Sequence, residues 1–198
     1  MNAGAESIRV MHPLFHAGEG GSTPTSALFL VLSEVPLAGA KRLNALWHSR
    51  LPRLGTGFVK DQPFLCYAAE YEGIAYAVAI WSNPVARNLP QKEWLELRRL
   101  AIAPDAPRNT ASRLLAVMAR LIRRRRPEVV RLISYQDTAV HTGAIYRAAG
   151  WTPTSVSGKG DWNRPHSRNQ NGTPRTRPKA QSEAPKQRWE KRLRVSPG

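Results

Sequence analysis

Between Ala27 and Trp151 the apolar residues fall into short runs and helical stripes, and outside that span they are scattered. Ala27 to Val35 (ALFLVLSEV) is an apolar run of strand length. Pro36 to Arg50 places Leu43, Leu46 and Trp47 on one helical face and has a proline at its entry, where a missing N–H costs nothing. Phe64 to Tyr71 and Ile74 to Trp81 predict two strands around Glu72-Gly73, a hairpin turn. Trp94 to Ala103 alternates and then turns apolar, ending at Pro104, Pro107 and Asn109. Thr110 to Arg126 is the clearest helix, with Leu114, Leu115, Met118, Leu121 and Ile122 in one stripe. Val129 to Tyr135 reads as a buried strand, Thr138 to Ala149 as a helix stopped by Gly150, and Trp151 to Ser157 as another strand. The order β-α-β-β-β-α-β-α-β describes an α/β fold, a mixed sheet with helices against it.

Composition sets the boundaries of that domain. Residues 1–25 hold Gly, Ser, Thr and Pro with isolated apolar residues and read as a flexible arm. Residues 26–157 form the folding domain. Residues 158–198 read as a basic tail, with little regular structure up to Pro185. Trp162 and Trp189 are unfavourable to leave in water, so the tail is expected to dock at those two points. Lys186 to Arg194 (KQRWEKRLR) is expected to be a strand or a helix.

Charge changes the picture more than composition does. Thirty Lys and Arg against 14 acids leave a net charge of +16. From Thr152 onward there are 11 basic and three acidic residues, so half of the excess lies in the last quarter. Such a balance favours a polyanion, most simply nucleic acid. The single cysteine, Cys66, excludes an intramolecular disulfide and a multi-cysteine zinc site. Apolar runs of about ten residues are too short to span a bilayer, and the first residues do not form a signal peptide. A cytoplasmic protein without a membrane partner is the expectation.

Two segments concentrate chemistry. The first is the step from the Trp94 strand through Pro104 and Arg108 to a helix beginning near Asn109-Thr110. Free N–H groups at a helix start, with Arg108 and Arg113 beside them, suit a phosphate or pyrophosphate; a capped helix with exposed arginines is the plainer reading. The second follows the Val129 strand, where Ser134, Asp137 and His141 fall at a strand's carboxyl end, the usual ligand edge of an open α/β sheet. Tyr146 on the next helix could donate a proton to a leaving group, or be a core aromatic. Asp137 could instead cap that helix, with His141 on the same helical face. His48 lies near the end of the first helix, where cations also gather for dipole reasons. The same applies to Arg123 to Arg126, whose sharper alternative is contact with a phosphate backbone.

The element order, the LELRRLAIAP strand and the segment Tyr146-Arg-Ala-Ala-Gly150-Trp151 resemble the GNAT N-acyltransferase fold over Ala27 to Ser157. That resemblance implies an acyl-CoA between two parting strands, a pyrophosphate on the following helix start, and Tyr146 as proton donor to the departing thiolate. The usual Arg/Gln-x-x-Gly-x-Gly/Ala loop reads Arg108-Asn-Thr-Ala-Ser-Arg113 here, without glycine but with small residues. More narrowly, AIWSNPVAR, LELRRLAIAPDAPRNTASRLL and LISYQDTAVHTGAIYRAAGW resemble the phage Mom-type DNA-modification proteins, a divergent GNAT branch. The tail pattern Trp162-Asn-Arg-Pro then Lys-Gln-Arg-Trp189 resembles the endings of related phage proteins.

The Mom resemblance implies use of acetyl-CoA and conversion of adenine N6 in double-stranded DNA to a methylcarbamoyl (acetamido) derivative that resists host restriction. Carried over by position, Arg99 and Ser112 fall at the acetyl-CoA site, with Leu100, Ala101, Arg108, Asn109 and Thr110 around them. His48, Asp137 and Tyr146 fall at the reacting centre. A metal, iron if any, would have His48, Asp137 and His141 as its ligands. Adenine N6 is a poor nucleophile because its lone pair is delocalised, so the chemistry goes beyond plain acetyl transfer with a general base. Two other functions fit the chain: an ordinary GNAT acetylating a protein or small amine, and an inactive GNAT scaffold that binds DNA.

Overall fold

A computed structural model describes residues 23–48, 51, 64–157 and 184–194. The expectations for most of the N-terminal arm, for Trp162 and for residues 158–183 lie outside the described residues. The elements are β1 (Val31–Glu34), α1 (Leu37–Trp47), β2 (Leu65–Tyr71), β3 (Ile74–Ser82), β4 (Trp94–Ile102), α2 (Thr110–Arg125), β5 (Arg131–Asp137), α3 (Ala144–Ala148), β6 (Thr152–Ser157) and β7 (Lys186–Arg192). They build one mixed seven-stranded sheet in the order β1-β2-β3-β4-β5-β7-β6. Only β4 and β5 run parallel. The β2–β3 hairpin turns at Glu72-Gly73, both at positive φ, as a two-residue turn matching strand twist requires.

Three expected elements are shorter than their patterns. Ala27 to Val35 is not one strand: the Ser26 side chain accepts from the Leu28 amide at 3.2 Å and holds a 3-10 turn over Ala27–Phe29, leaving only β1 as strand. The first helix ends at Trp47, not Arg50, because His48 is extended (φ −87, ψ 95). The helix expected over Thr138 to Ala149 is confined to α3. There the Asp137 carboxylate accepts from the Ala139 amide at 3.1 Å, a local turn that competes with helix. Gly143 at φ +78 then starts the helix. Asp137 is therefore a strand end and caps no helix, and His141 lies in the turn, sharing no helical face with it.

One sheet face carries α2 and α3, whose stripe of Leu114, Leu115, Met118 and Ile122 packs with Leu95, Leu97, Leu132, Trp81, Tyr146, Trp151 and Trp189. The other carries α1 over β2, β3 and β4, enclosing Ala40, Leu43, Val78, Ile80 and Ala101. Burial there pushes the Cys66 thiol up to about 12, against the nearby Lys41, so it stays protonated and inert.

The chain end is the largest departure from a domain that closes at Ser157. Lys186–Arg192 forms β7, between β5 and β6 and hydrogen-bonded to both. Trp189 is 3% exposed, and its indole N–H donates to Gln136 Oε1 at 2.6 Å. Trp189→Ala should therefore cost about 3–5 kcal/mol by removing a buried aromatic, measured by urea unfolding. A chain ending at Ser157 should show no cooperative transition in circular dichroism, because β5 and β6 lose the strand that joins them. A truncated chain that unfolds with native cooperativity would show β7 to be dispensable.

Candidate functional site

The site begins where β4 and β5 part. Their parallel register runs from Trp94↔Arg131 to Leu97↔Ser134 and stops, although the strands continue to Ile102 and Asp137. A β-bulge sits at the vertex: Trp81 pairs with Leu97 and Ile80 with Arg99, leaving Arg98 as the extra residue. A bulge bends its strand and re-aims side chains. Leu95 and Leu97 accordingly belong to the α2-side core and Ala101 to the α1 side.

Arg98 Nε lies 3.3 Å from Glu96 Oε1, and Glu96 Oε2 accepts from the Val85 amide at 2.9 Å. Burial holds the Glu96 carboxyl above the usual carboxylate range, opposed by the Val85 N–H, Arg98 and Arg99. The neighbouring Arg99 donates to the Arg98 carbonyl at 2.6 Å. Its guanidinium is brought down to about 10, first by burial and then by Arg98, with Glu96 opposing; it remains charged at neutral pH. Leu100 is half-buried and Ala101 buried.

Below the fork, the step into α2 supplies what the glycine-free loop lacked in sequence. Asn109 adopts the left-handed region (φ 66, ψ 8), which Asn tolerates better than most residues. Thr110 is buried, and its amide and hydroxyl both donate to the Pro107 carbonyl, at 3.3 and 2.6 Å, so both of its donors are engaged within the loop. The Ser112 hydroxyl and Arg113 amide donate to the Asn109 carbonyl, each at 3.0 Å. The Ala111 and Ser112 amides therefore remain as helix-start donors. Arg108 is exposed beside them, whereas the Arg113 guanidinium donates to the Leu28 carbonyl at 3.2 Å. The Arg123 to Arg125 run ends α2, about 24 Å along the helix from this loop at 1.5 Å per residue.

Tyr146 reaches the vertex from the α3 side. Its hydroxyl is 2.8 Å from the hydroxyl of Ser134, the last β5 residue paired with β4. Its ring stacks on Trp189, with centroids 5.3 Å apart and planes at 12°, and meets Trp151 edge-on at 5.7 Å. Burial raises the Tyr146 hydroxyl above its ordinary range, with Ser134 opposing, so at neutral pH it carries a proton to donate. Gly143 permits this packing: a Cβ there would run into the Trp189 ring and Gln136 Oε1.

His48 approaches from the α1 side. Its Nδ1 accepts from the Leu51 amide at 3.1 Å. Burial, then Arg99 and His141, hold its imidazole below the usual histidine range. Asp137 closes β5 in an ion pair with Lys186 Nζ at 2.7 Å. The structure thus brings His48, Arg99 and His141 into one electrostatic neighbourhood. Tyr146 comes with α3 on one face of the sheet, His48 follows α1 on the other, and Asp137 ends β5. Among the described residues no three His, Cys, Asp or Glu side chains gather as a metal site. His48, Asp137 and His141, the donor set considered for iron, are therefore not gathered as a metal site.

Sequence reasoning missed Lys186 as the partner of Asp137, and Trp189 and Gln136 as the support of Tyr146. The one available signal was the tryptophan in the tail.

Among solved structures, the chain is similar to the ribosomal-protein-S18-alanine N-acetyltransferase from Escherichia coli. The identity is 15% and the TM-score 0.55, covering 85% of this chain and 96% of that one. It is also similar to an IAA acetyltransferase from Bacillus cereus ATCC 14579, at 14% identity and TM-score 0.56, covering 82% and 99%. A Bacillus subtilis acetyltransferase in complex with CoA matches at 10% identity and TM-score 0.55, covering 82% and 98%. These likenesses show the GNAT acetyltransferase fold. No curated protein matches the chain in sequence. The model of the Mom protein family matches residues 71–194, from the β2–β3 turn through the fork and Tyr146 to the end of β7. The chain belongs to the Mom protein family.

Proposed function

We propose that this chain is an acetyl-CoA-dependent DNA-modification enzyme. In this reading acetyl-CoA supplies the two-carbon unit of a methylcarbamoyl (acetamido) group on adenine N6 in double-stranded DNA, an ammonia-level nitrogen donor and a two-electron oxidant complete that group, and the modification protects phage DNA from host restriction. The carrying observation is the family match over residues 71–194, because it spans every part of the fork. The residues present fit an acyl-CoA. Past Leu97, β4 offers the edge formed by Arg99, Leu100 and Ala101 to an extended chain. The Ala111 and Ser112 amides, with Arg108, Asn109 and Thr110 around them, offer donors and positive dipole to a pyrophosphate.

Tyr146 carries a proton at the vertex for the departing thiolate. Depressed basicity keeps His48 neutral near pH 7, and its Nδ1 must give up the Leu51 amide to accept a proton from an acceptor amine. Asp137, at the end of β5 past the vertex, is the remaining candidate at the reacting centre, its carboxylate paired with Lys186, and the net charge of +16 supplies attraction for the DNA backbone. His48 is the site residue outside the matched range, so its role rests on its proximity to Arg99 and His141.

Three outcomes test the reading. Nucleosides from DNA of cells expressing the chain should contain a modified adenine by mass spectrometry, and Asp137→Asn and Tyr146→Phe should lose it while keeping DNA binding. An acetylated protein or small amine with unmodified DNA would make the chain an ordinary GNAT enzyme instead.

Ser112→Glu should weaken acetyl-CoA binding at least tenfold by calorimetry, since a carboxylate would face the pyrophosphate. The substitution places an acid in the first turn of α2, which favours the helix, so unchanged affinity would reject the placement. The acid limb of the pH–rate profile should lie below 6.5, the ordinary value for histidine, because burial and then the neighbouring Arg99 resist protonation of His48. An acid limb at or above that value would remove His48 as the base.

A further inference from the structure

Tyr135 is the residue the fork leaves unexplained. It follows Ser134, so it is the first β5 residue beyond the last pairing with β4. Alternation along the strand sends its side chain away from Tyr146, to the sheet face that carries Arg99. It is a large aromatic in a central strand of the sheet, yet it is 37% exposed. α1 covers β2, β3 and β4 on that face and does not extend over Tyr135.

The cross-strand partner of Tyr135 is Arg188 on β7, whose guanidinium opposes the rise that burial gives the phenol's pKa. Arg188 is itself held by Glu190 Oε1 at 2.9 Å, and its Nε donates to Thr154 Oγ1 at 3.2 Å. Arg188 is thereby held in place as the cross-strand neighbour of the exposed ring beside the vertex. A core role does not account for this: a structural aromatic at a central strand position is normally covered, as Trp81 and Tyr67 are at 0% exposure.

A base cannot reach a group transferred at the vertex while it remains in the duplex stack, so a DNA-modifying enzyme must extrude it or take it single-stranded. An extruded base needs an aromatic face to replace its lost stacking neighbours. We propose that Tyr135 is that face, a binding residue on which the acceptor base stacks, with Arg188 as its cross-strand neighbour. The inference rests on the DNA-modification reading and assigns a substrate contact within it.

The test uses the full chain and a duplex oligonucleotide carrying 2-aminopurine at the acceptor position, with affinity read by anisotropy and stacking by 2-aminopurine emission. Tyr135→Leu should weaken binding about tenfold to hundredfold, the worth of one base–aromatic stack. The bound base should also become brighter, because the ring that quenched it is gone. Tyr135→Phe keeps the ring but loses the oxygen that faces Arg188, so it should retain most of the quenching and bind between the native and leucine proteins. Far-ultraviolet circular dichroism shows that the leucine variant is folded, as expected for a partly exposed position. Equal affinity and equal emission for native and leucine proteins would overturn the inference, as would a native protein that does not bind the oligonucleotide. A native protein that binds and quenches the 2-aminopurine but transfers nothing to adenine in the unsubstituted duplex of the same sequence would overturn the acyl-transfer reading and leave the stacking contact standing.

Discussion

The face-to-face contact of Tyr146 with Trp189 (centroids 5.3 Å apart) ties the site to the end of the chain. Trp189 sits on a strand that the sheet recruits after an excursion of 28 residues beyond Ser157. It presses the tyrosine ring against Trp151, and Gln136 holds its indole N–H. The same glutamine donates to the His141 carbonyl, so the turn before α3, the β5 strand end and the C-terminal strand are one hydrogen-bonded unit. Gly143 is required at the centre of that unit because any side chain would occupy the space of the Trp189 ring. A tyrosine fixed in this way loses little freedom when a leaving group arrives, which is what preorganised proton donation needs.

The second constraint is the bulge at Arg98. Were β4 regular, its hydrophobic alternation would carry through and its pairing with β5 could continue. The extra residue switches the faces, and Arg99 is placed on the α1 side next to His48. Two adjacent arginines in a half-buried strand are unfavourable to each other, and Arg98 adds to the burial that chiefly lowers the basicity of Arg99. Glu96, held by the Val85 amide and by Arg98, offsets part of that repulsion. The result is a pair of strands that part at a vertex lined by a neutral phenol on one side and concentrated positive charge on the other. An anionic or electron-rich ligand suits that asymmetry.

The basic character of the chain is also distributed less simply than its net charge. In the described part of the tail, the cations Lys186 and Arg188 are neutralised by Asp137 and Glu190. They serve as strand-to-strand ties, and Arg188 is the cross-strand neighbour of Tyr135. Arg131 is shared between Glu190 at 2.7 Å and the Trp94 ring at 4.4 Å. Basic residues that looked in sequence like a phosphate-binding tail are thus partly structural here.

Period-two and period-3.6 patterns sufficed in the sequence for the hairpin around Glu72-Gly73, the α2 stripe and the order of elements up to β6, because each depends on neighbours a few residues away. The small, glycine-free loop before α2 was legible as a helix start, and the Tyr146 to Trp151 segment as a distinctive motif. Local chemistry defeated the pattern where a short polar side chain could satisfy the backbone, at Ser26 and Asp137, each of which shortened an expected element. What only the tertiary structure decided are contacts between distant residues: β7 between β5 and β6, Trp189 beneath Tyr146, Lys186 on Asp137 and His48 beside Arg99. These pairings have no local signature, since a strand's partners are selected by which edge remains unpaired and which apolar face needs covering, and neither exists until the rest of the sheet has formed.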